Sequence, residues 1–268
     1  MDPSANTAPT QNGPAAVDHR MRALALEAEL EGRLATRVET YPAGLALFRD
    51  DLPRVAELNL LRLEPGTEPE PGTLIDFVDQ LQAGLPQRSL RVVDDATAER
   101  LRPHFAAAGW VVDRVALMVS RKLANPDVDT GPIEEVELDR LDDARMATLR
   151  RAHRDLESAE QMAEIGTTLA DGVETRAWGA VLGLDVTAYA VARVVGDAAK
   201  LTEVDANDRS HGRGLGRAVV WAAVRDLRRC GAKVIAVEAA DETWAKWTYH
   251  RLGFEEVGSM HRFVRPWG

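Results

Sequence analysis

Three glycines at alternate positions, Gly212, Gly214 and Gly216, stand directly before an apolar helical run, 218–227. Glycine enters the left-handed backbone region that other residues avoid, so this stretch can turn with its amide groups pointing one way. A helix starting at that turn adds the positive end of its dipole, and the two together suit an anion, phosphate above all. The segment His211-Gly212-Arg213-Gly214-Leu215-Gly216-Arg217 reads as a phosphate cradle or, more plainly, as a glycine-rich turn that only starts a helix. It is not the dinucleotide fingerprint, because Arg217 occupies the place of the third glycine in G-x-G-x-x-G.

The neighbouring segments narrow the fold. Residues 234–238 read as a buried strand, and 244–252 as a helix that stops at Gly253 with Phe254 after it. Before the loop lie strands at 175–182, 187–195 and 198–206, the last two joined by a Gly196-Asp197 hairpin turn. Two helices, 138–153 and 156–169, precede them, and a closing pair of strands runs to Phe263. This order, with Ala245 and Tyr249 ahead of Gly253-Phe254, resembles the Gcn5-related N-acetyltransferase (GNAT) family. That family's loop runs R/Q-x-x-G-x-G/A and its later motif A-x-x-L-Y-x-x-x-G-F. The resemblance covers about residues 135–265 and is specific over 201–265, with His211 standing where the family has Arg or Gln. It implies an α+β chain (mixed α/β) with the GNAT fold, a mixed, mostly antiparallel sheet flanked by helices.

The first half echoes the second. Val92-Val93-Asp94-Asp95, a helix to Ala108, Gly109-Trp110 and a strand at 111–119 follow the same plan as 236–264. With Gly109 set against Gly253, Phe105 falls where Tyr249 sits, so the first copy has the shape without the hydroxyl. Its would-be cradle is the acidic, proline-rich segment 64–72, whose carboxylates would repel a diphosphate. The chain thus reads as a pseudo-tandem arrangement, unless two ordinary strand-helix-strand pieces are alike by chance. Residues 1–17 read as a disordered leader, 18–121 as a degenerate GNAT-like domain, 122–134 as a linker and 135–268 as the catalytic GNAT domain.

Composition excludes several classes of function. A net charge of −10 disfavours nucleic acid and mildly favours a cationic acceptor such as an amine. No run approaches the roughly 18 apolar residues of a membrane span, so no membrane partner is expected. The single Cys230 rules out an internal disulfide, fits a reducing cytoplasm, and lies near a helix end where a buried structural thiol is the expectation. The histidines His104, His153, His250 and His261 show no ligand spacing, and no metal is expected.

The resemblance implies acetyl-CoA (coenzyme A) as cosubstrate and transfer of its acetyl group to a primary amine of a small molecule or peptide, in a ternary complex. In the cofactor-binding part it implicates His211, Gly212, Arg213, Gly214, Leu215, Gly216 and Arg217 for the diphosphate. Backbone groups of Val204, Asp205 and Ala206 would hold the pantetheine and polarise the thioester carbonyl. Tyr249 matches the family's tyrosine acid, a phenol neutral at pH 7. Glu203, on the strand before the loop, is the candidate base, directly or through water; strand alternation puts it on one face with Asp205 unless a bulge intervenes. Asp241 and Glu242 stand where many relatives place an Asn that touches the cofactor, and either also suits a helix cap. Trp244 and Trp247 read as core or as channel lining. The alternative is a non-catalytic acyl-CoA sensor. Dimerisation is frequent in the family, yet a pseudo-repeat can bury the same surface in one chain, so monomer and homodimer both stand. Because the ordinary imidazole pKa is near 6.5, His211 predicts an acetyl-CoA affinity that weakens as pH rises from about 5.5 to about 8.5. A dissociation constant flat across that range, by calorimetry, would remove the role.

Overall fold

In a computed structural model of the chain, residues 14–121, 129–152, 156–183, 185–207, 213–241 and 243–265 are described. The first half runs α1 (Pro14–Leu34), β1 (Arg37–Tyr41), β2 (Gly44–Phe48), β3 (Leu60–Leu63), α2 (Pro71–Leu81), β4 (Arg88–Val92), α3 (Asp95–Ala107) and β5 (Val111–Ser120). The second runs β6 (Ile133–Val136), a 3₁₀ turn (Leu138–Leu141), α4 (Asp142–Ala152), α5 (Leu156–Gly172), β7 (Glu174–Leu182), β8 (Asp185–Val195) and β9 (Ala198–Ala206). It ends with α6 (Leu215–Arg229), β10 (Val234–Ala240), α7 (Trp244–Arg251) and β11 (Phe254–Arg265). α1 begins at Pro14, inside the stretch read as leader, and β6 begins at Ile133, inside the stretch read as linker. No helix among the described residues is long and apolar enough to cross a membrane.

The described strands all join one sheet, in the order β1-β2-β3-β4-β11-β5-β10-β9-β8-β7-β6. Its middle is an exchange. β5, from the first half, lies antiparallel between β11 and β10, pairing Val119 with Ala236 and Ser120 with Phe254. β11, from the second half, continues antiparallel along β4, with His261 opposite Val92. The place beside β10 that a second closing strand would take is therefore filled by β5. This is why the chain closes on one long strand, bulged between Glu256 and Gly258, rather than the expected pair.

Alternation along β5 assigns the faces. Val112 belongs to the core under α2 and α3, while Ala116 and Met118 belong to the core under α6 and α7, so these four helices share one side. Leu117 and Val119 face the other side, where α1 lays Ala23, Leu26, Leu30 and Leu34 across both halves. α6 shows why the sequence folds as it does: Leu215, Ala218, Val219, Ala222, Ala223 and Leu227 form a buried stripe, and Arg228 and Arg229 complement the dipole in the last turn. Cys230 follows as the cap, off that stripe. Contrary to expectation it is exposed, and its Sγ accepts a hydrogen bond from Arg176 Nη1 at 2.8 Å.

Beneath α1 lies a buried cluster of charges. Glu27 pairs with Lys200 on β9 and Arg91 on β4, and Glu31 with Arg91 and Arg62. Glu238 on β10 accepts from Lys200 Nζ at 2.5 Å and from Arg262 Nη2 at 2.6 Å. Burial alone would raise the Glu238 carboxyl, but Lys200, Arg262 and Arg91 outweigh it and hold it below the usual carboxylate range. Its contribution to stability is therefore present above the unfolded carboxyl pKa and lost as pH falls through the lower folded value. Lys200→Met should destabilise the chain by about 3–5 kcal/mol at neutral pH, because it leaves Glu27 and Glu238 buried without their shared cation. Chemical denaturation checks this, and adding Glu238→Gln should return part of the loss.

Candidate active site

β9 and β10 run parallel only from Ala198–Val234 to Leu201–Val237. Beyond that register β9 stays paired to β8 as far as Ala206, and β10 stays paired to β5 as far as Ala240. The facing edges of residues 202–206 and 238–240 have no ladder between them, so their backbone groups line a wedge. That places Val204, Asp205 and Ala206 where an extended ligand arm can take main-chain hydrogen bonds in place of a missing strand.

A bulge decides which side chains go with which face. Across from β8, Val191 is opposite Glu203 and Ala192 opposite Leu201, which leaves Thr202 as the extra residue. One inserted residue reverses the alternation. Lys200 faces α1, and after the bulge Glu203 and Asp205 point to that same side, toward α4. Val204 and Ala206 turn instead to the core under α6. Glu203 and Asp205 do share a face, as the sequence predicts, and neither carboxylate is free. Arg145 donates Nε at 2.7 Å and Nη2 at 3.0 Å to the two oxygens of Glu203, and Thr148 and Arg151 each donate to Asp205 at 2.6 Å.

Arg145 was not among the expected site residues. Its side chain is 5% exposed, in a helix otherwise rich in polar residues. A Cβ on Gly166 of α5 would meet its Nη2 at 1.8 Å, so any larger residue there would displace the guanidinium from this place. Arg193 of β8 lies alongside, donating Nη2 to the Gly166 carbonyl at 2.9 Å, and its guanidinium is pushed down to about 10 by burial. The sequence signal available was the mid-helix Gly166 alone.

The cradle lies at the mouth of the wedge. Gly214, with φ of 71°, is the N-cap of α6, and Leu215 is buried beneath the first turn. A Cβ on Gly216 would come within 3.3 Å of Ala206 Cβ and 3.9 Å of Trp244 Cη2, so the helix start, the end of β9 and α7 converge there. Arg213 and Arg217 flank this turn and have no ion pair among the described residues. His211 and Gly212 lie outside the described residues, as does Glu242. Thr243, not Asp241, caps α7, accepting from the Lys246 amide, while Asp241 is bound by Arg114 at 2.7 Å and Lys246 at 2.5 Å.

Tyr249 points from α7 into the core of this half, 6% exposed, its ring 5.5 Å from Phe254. Burial pushes its phenol up to about 12, with no charge or hydrogen bond contributing, so it holds its proton throughout the physiological range. Trp244 and Trp247 are not core: they stand 67% and 64% exposed on the outer face of α7. Among the described residues no three His, Cys, Asp or Glu side chains converge to hold a metal. His261 is committed to Asp95, with Nε2 at 2.7 Å.

The first half carries the counterpart with its cradle filled. β3 and β4 are parallel over Leu61–Leu90 and Arg62–Arg91 only. At the start of α2 the Glu70 carboxylate accepts from the amides of Gly72 at 3.0 Å and Thr73 at 2.6 Å. The amides an anion would use are occupied by the chain's own carboxylate.

Comparison with known proteins bears on the fold. The family model described as FR47-like protein matches residues 177–264. The sequence matches none of the curated proteins compared. Among solved structures, a GCN5-related N-acetyltransferase from Kribbella flavida superposes with a TM-score of 0.65 at 17% identity, covering 96% of this chain and 98% of that one. A conserved protein of unknown function from Staphylococcus epidermidis gives 0.65 at 14% identity, covering 87% and 94%. A tandem GNAT protein of the clavulanic acid biosynthesis pathway gives 0.53 at 14% identity, covering 96% of each chain. The chain thus carries a GNAT-type, FR47-like domain in its C-terminal half, within the mixed, mostly antiparallel fold shared by GNAT N-acetyltransferases and tandem GNAT proteins.

Proposed function

We propose that this protein is an acetyl-CoA-dependent N-acetyltransferase whose single working site is the wedge between β9 and β10, acting on a primary amine of a small molecule or peptide in the cytoplasm. The observation that carries the reading is the convergence of three parts: an unpaired β9 edge, the glycine-capped start of α6, and a buried, protonated Tyr249 on the same side. The residues present suit coenzyme A. Amides of the first turn of α6, with Arg213 and Arg217, would hold its diphosphate, and the free edge over residues 204–206 would hold its pantetheine.

In this reading the amine nitrogen bonds to the thioester carbon as the carbon–sulfur bond breaks. Tyr249 gives its proton to the departing sulfur, a match of a weak acid to a group that needs a proton only once it leaves. The amine must also lose a proton. Arg145 takes one lone pair from each Glu203 oxygen and leaves others for water, so the arrangement favours Glu203 acting through an ordered water rather than by direct contact. Glu70 in its own cradle supports one cosubstrate per chain.

Tyr249→Phe should lower kcat by roughly a hundredfold or more, in the range of general-acid contributions, and leave the acetyl-CoA dissociation constant within about twofold. Turnover of acetyl-CoA across a panel of small amines measures it. Binding without turnover of any amine would support the sensor reading instead, and unchanged kcat in the variant would remove Tyr249 from the chemistry.

A further inference from the structure

The outer face of α7 carries Trp244, Trp247 and Arg251 at the spacing i, i+3, i+7, which brings them onto one side of the helix. The inner side carries the buried Thr248 and Tyr249. Tryptophan is normally among the most buried residues by area; in this chain Trp110 and Trp178 are 4% and 1% exposed and Trp221 is partly buried. The two on α7, at 67% and 64%, are large flat surfaces left open to solvent.

Their position relates them to the wedge. The Trp244 ring edge lies 3.9 Å from where a Cβ on Gly216 would sit, so the indole overhangs the first turn of α6. Arg251 lies over the Trp247 ring, its guanidinium carbon 4.7 Å from the ring centroid, and has no ion pair among the described residues. Arg213 and Arg217 likewise have none. In a chain of net charge −10, where most described arginines are answered by a carboxylate, unanswered cations and bare indoles meet at one end of the site.

Resting on the acetyl-CoA reading, we infer that this face of α7 recognises the 3′-phosphoadenosine end of the cosubstrate, Trp244 stacking on the base and Arg251, steadied by Trp247, pairing with the 3′-phosphate. A diphosphate held at the start of α6 leads through one ribose to the adenine, a reach that Trp244 is placed to meet. Stacking is tolerant of the base but needs a ring, and the 3′-phosphate needs a fixed positive charge, which guanidinium provides. The arrangement makes α7 bifunctional: Tyr249 faces the thioester end and the opposite side of the same helix reads the nucleotide end.

The test uses the full chain and two probes, acetyl-CoA and acetyl-dephospho-CoA, with dissociation constants from calorimetry and from quenching of tryptophan fluorescence. Trp244→Ala should weaken both probes by about five- to a hundredfold, the range of single-base stacking, and Trp244→Phe should retain most of the affinity. Arg251→Gln should weaken acetyl-CoA by about five- to tenfold and leave acetyl-dephospho-CoA unchanged, erasing the wild-type preference between them. Normal affinity for acetyl-CoA in all three variants would overturn the inference while leaving the cradle intact. The same holds if Trp244→Ala dissolves a dimer in sedimentation without touching affinity, since the face would then serve a second copy of the chain. A wild-type chain that binds neither probe would overturn the cradle reading itself, and this inference with it.

Discussion

The parallel register between β9 and β10 is four residue pairs long, and the site depends on its stopping there. Two strands can separate without fraying only if each keeps a second partner. β9 has β8, to which it remains bonded as far as Ala206, and β10 has β5, to which it remains bonded as far as Ala240. The strand that steadies β10 comes from the other half of the chain. The second half folding alone would have to find another strand for that position, so the first half, through β5, supports one edge of the wedge even though Glu70 occupies its own helix-start amides.

The charges under α1 fall at the same point. Lys200 sits one residue before the last paired position of β9, and Glu238 one residue after the last paired position of β10. Their contact, shared with Glu27 of α1, ties the apex of the wedge to a helix that also rests on Arg91 of β4 through Glu27 and Glu31. Removing either member upsets a buried balance in which Lys200 is shared by Glu27 and Glu238, and that penalty favours this one register over a slipped one. Thr202 then does on β9 what no change of composition can do, turning Glu203 and Asp205 toward α4 while Val204 and Ala206 close the α6 core.

Much of this was legible in the sequence because it was written locally. α6 runs over Leu215–Arg229 as its periodic stripe predicts, and Gly253-Phe254 after Tyr249 places the end of α7. Non-local pairings were not legible. Nothing in 111–120 says that this strand will leave its own half for a slot beside β10, and the four-residue β6 was hidden among linker residues by its shortness. Arg145 was missed because a lone arginine in a polar helix gives no sign of burial until Gly166 and Glu203 are placed around it. Trp244 and Trp247, read as core or as channel lining, are a case of the opposite kind. Apolar side chains suggest a core, and only the helix register shows that these two turn away from it.

The two halves show how small a change separates a site from a scaffold. Each has a short parallel pair, a helix beginning at its end, and a helix closed by a glycine of positive φ, Gly109 or Gly253. Phe105 packs edge-on against Trp110 and Phe263, and Tyr249 packs at a tilt against Phe254. A benzene ring fills this place in the first half where a phenol fills it in the second, so the two cores share a shape and only one carries a hydroxyl. Replacing a glycine turn by Glu70 satisfies the same helix-start amides from within, so the helix is capped as well as any ligand would cap it. The second half starts α6 at Gly214 with no side-chain cap, so among the described residues the first turn lacks the internal partner that Glu70 supplies to α2, and the stability forgone there is what an outside partner could return.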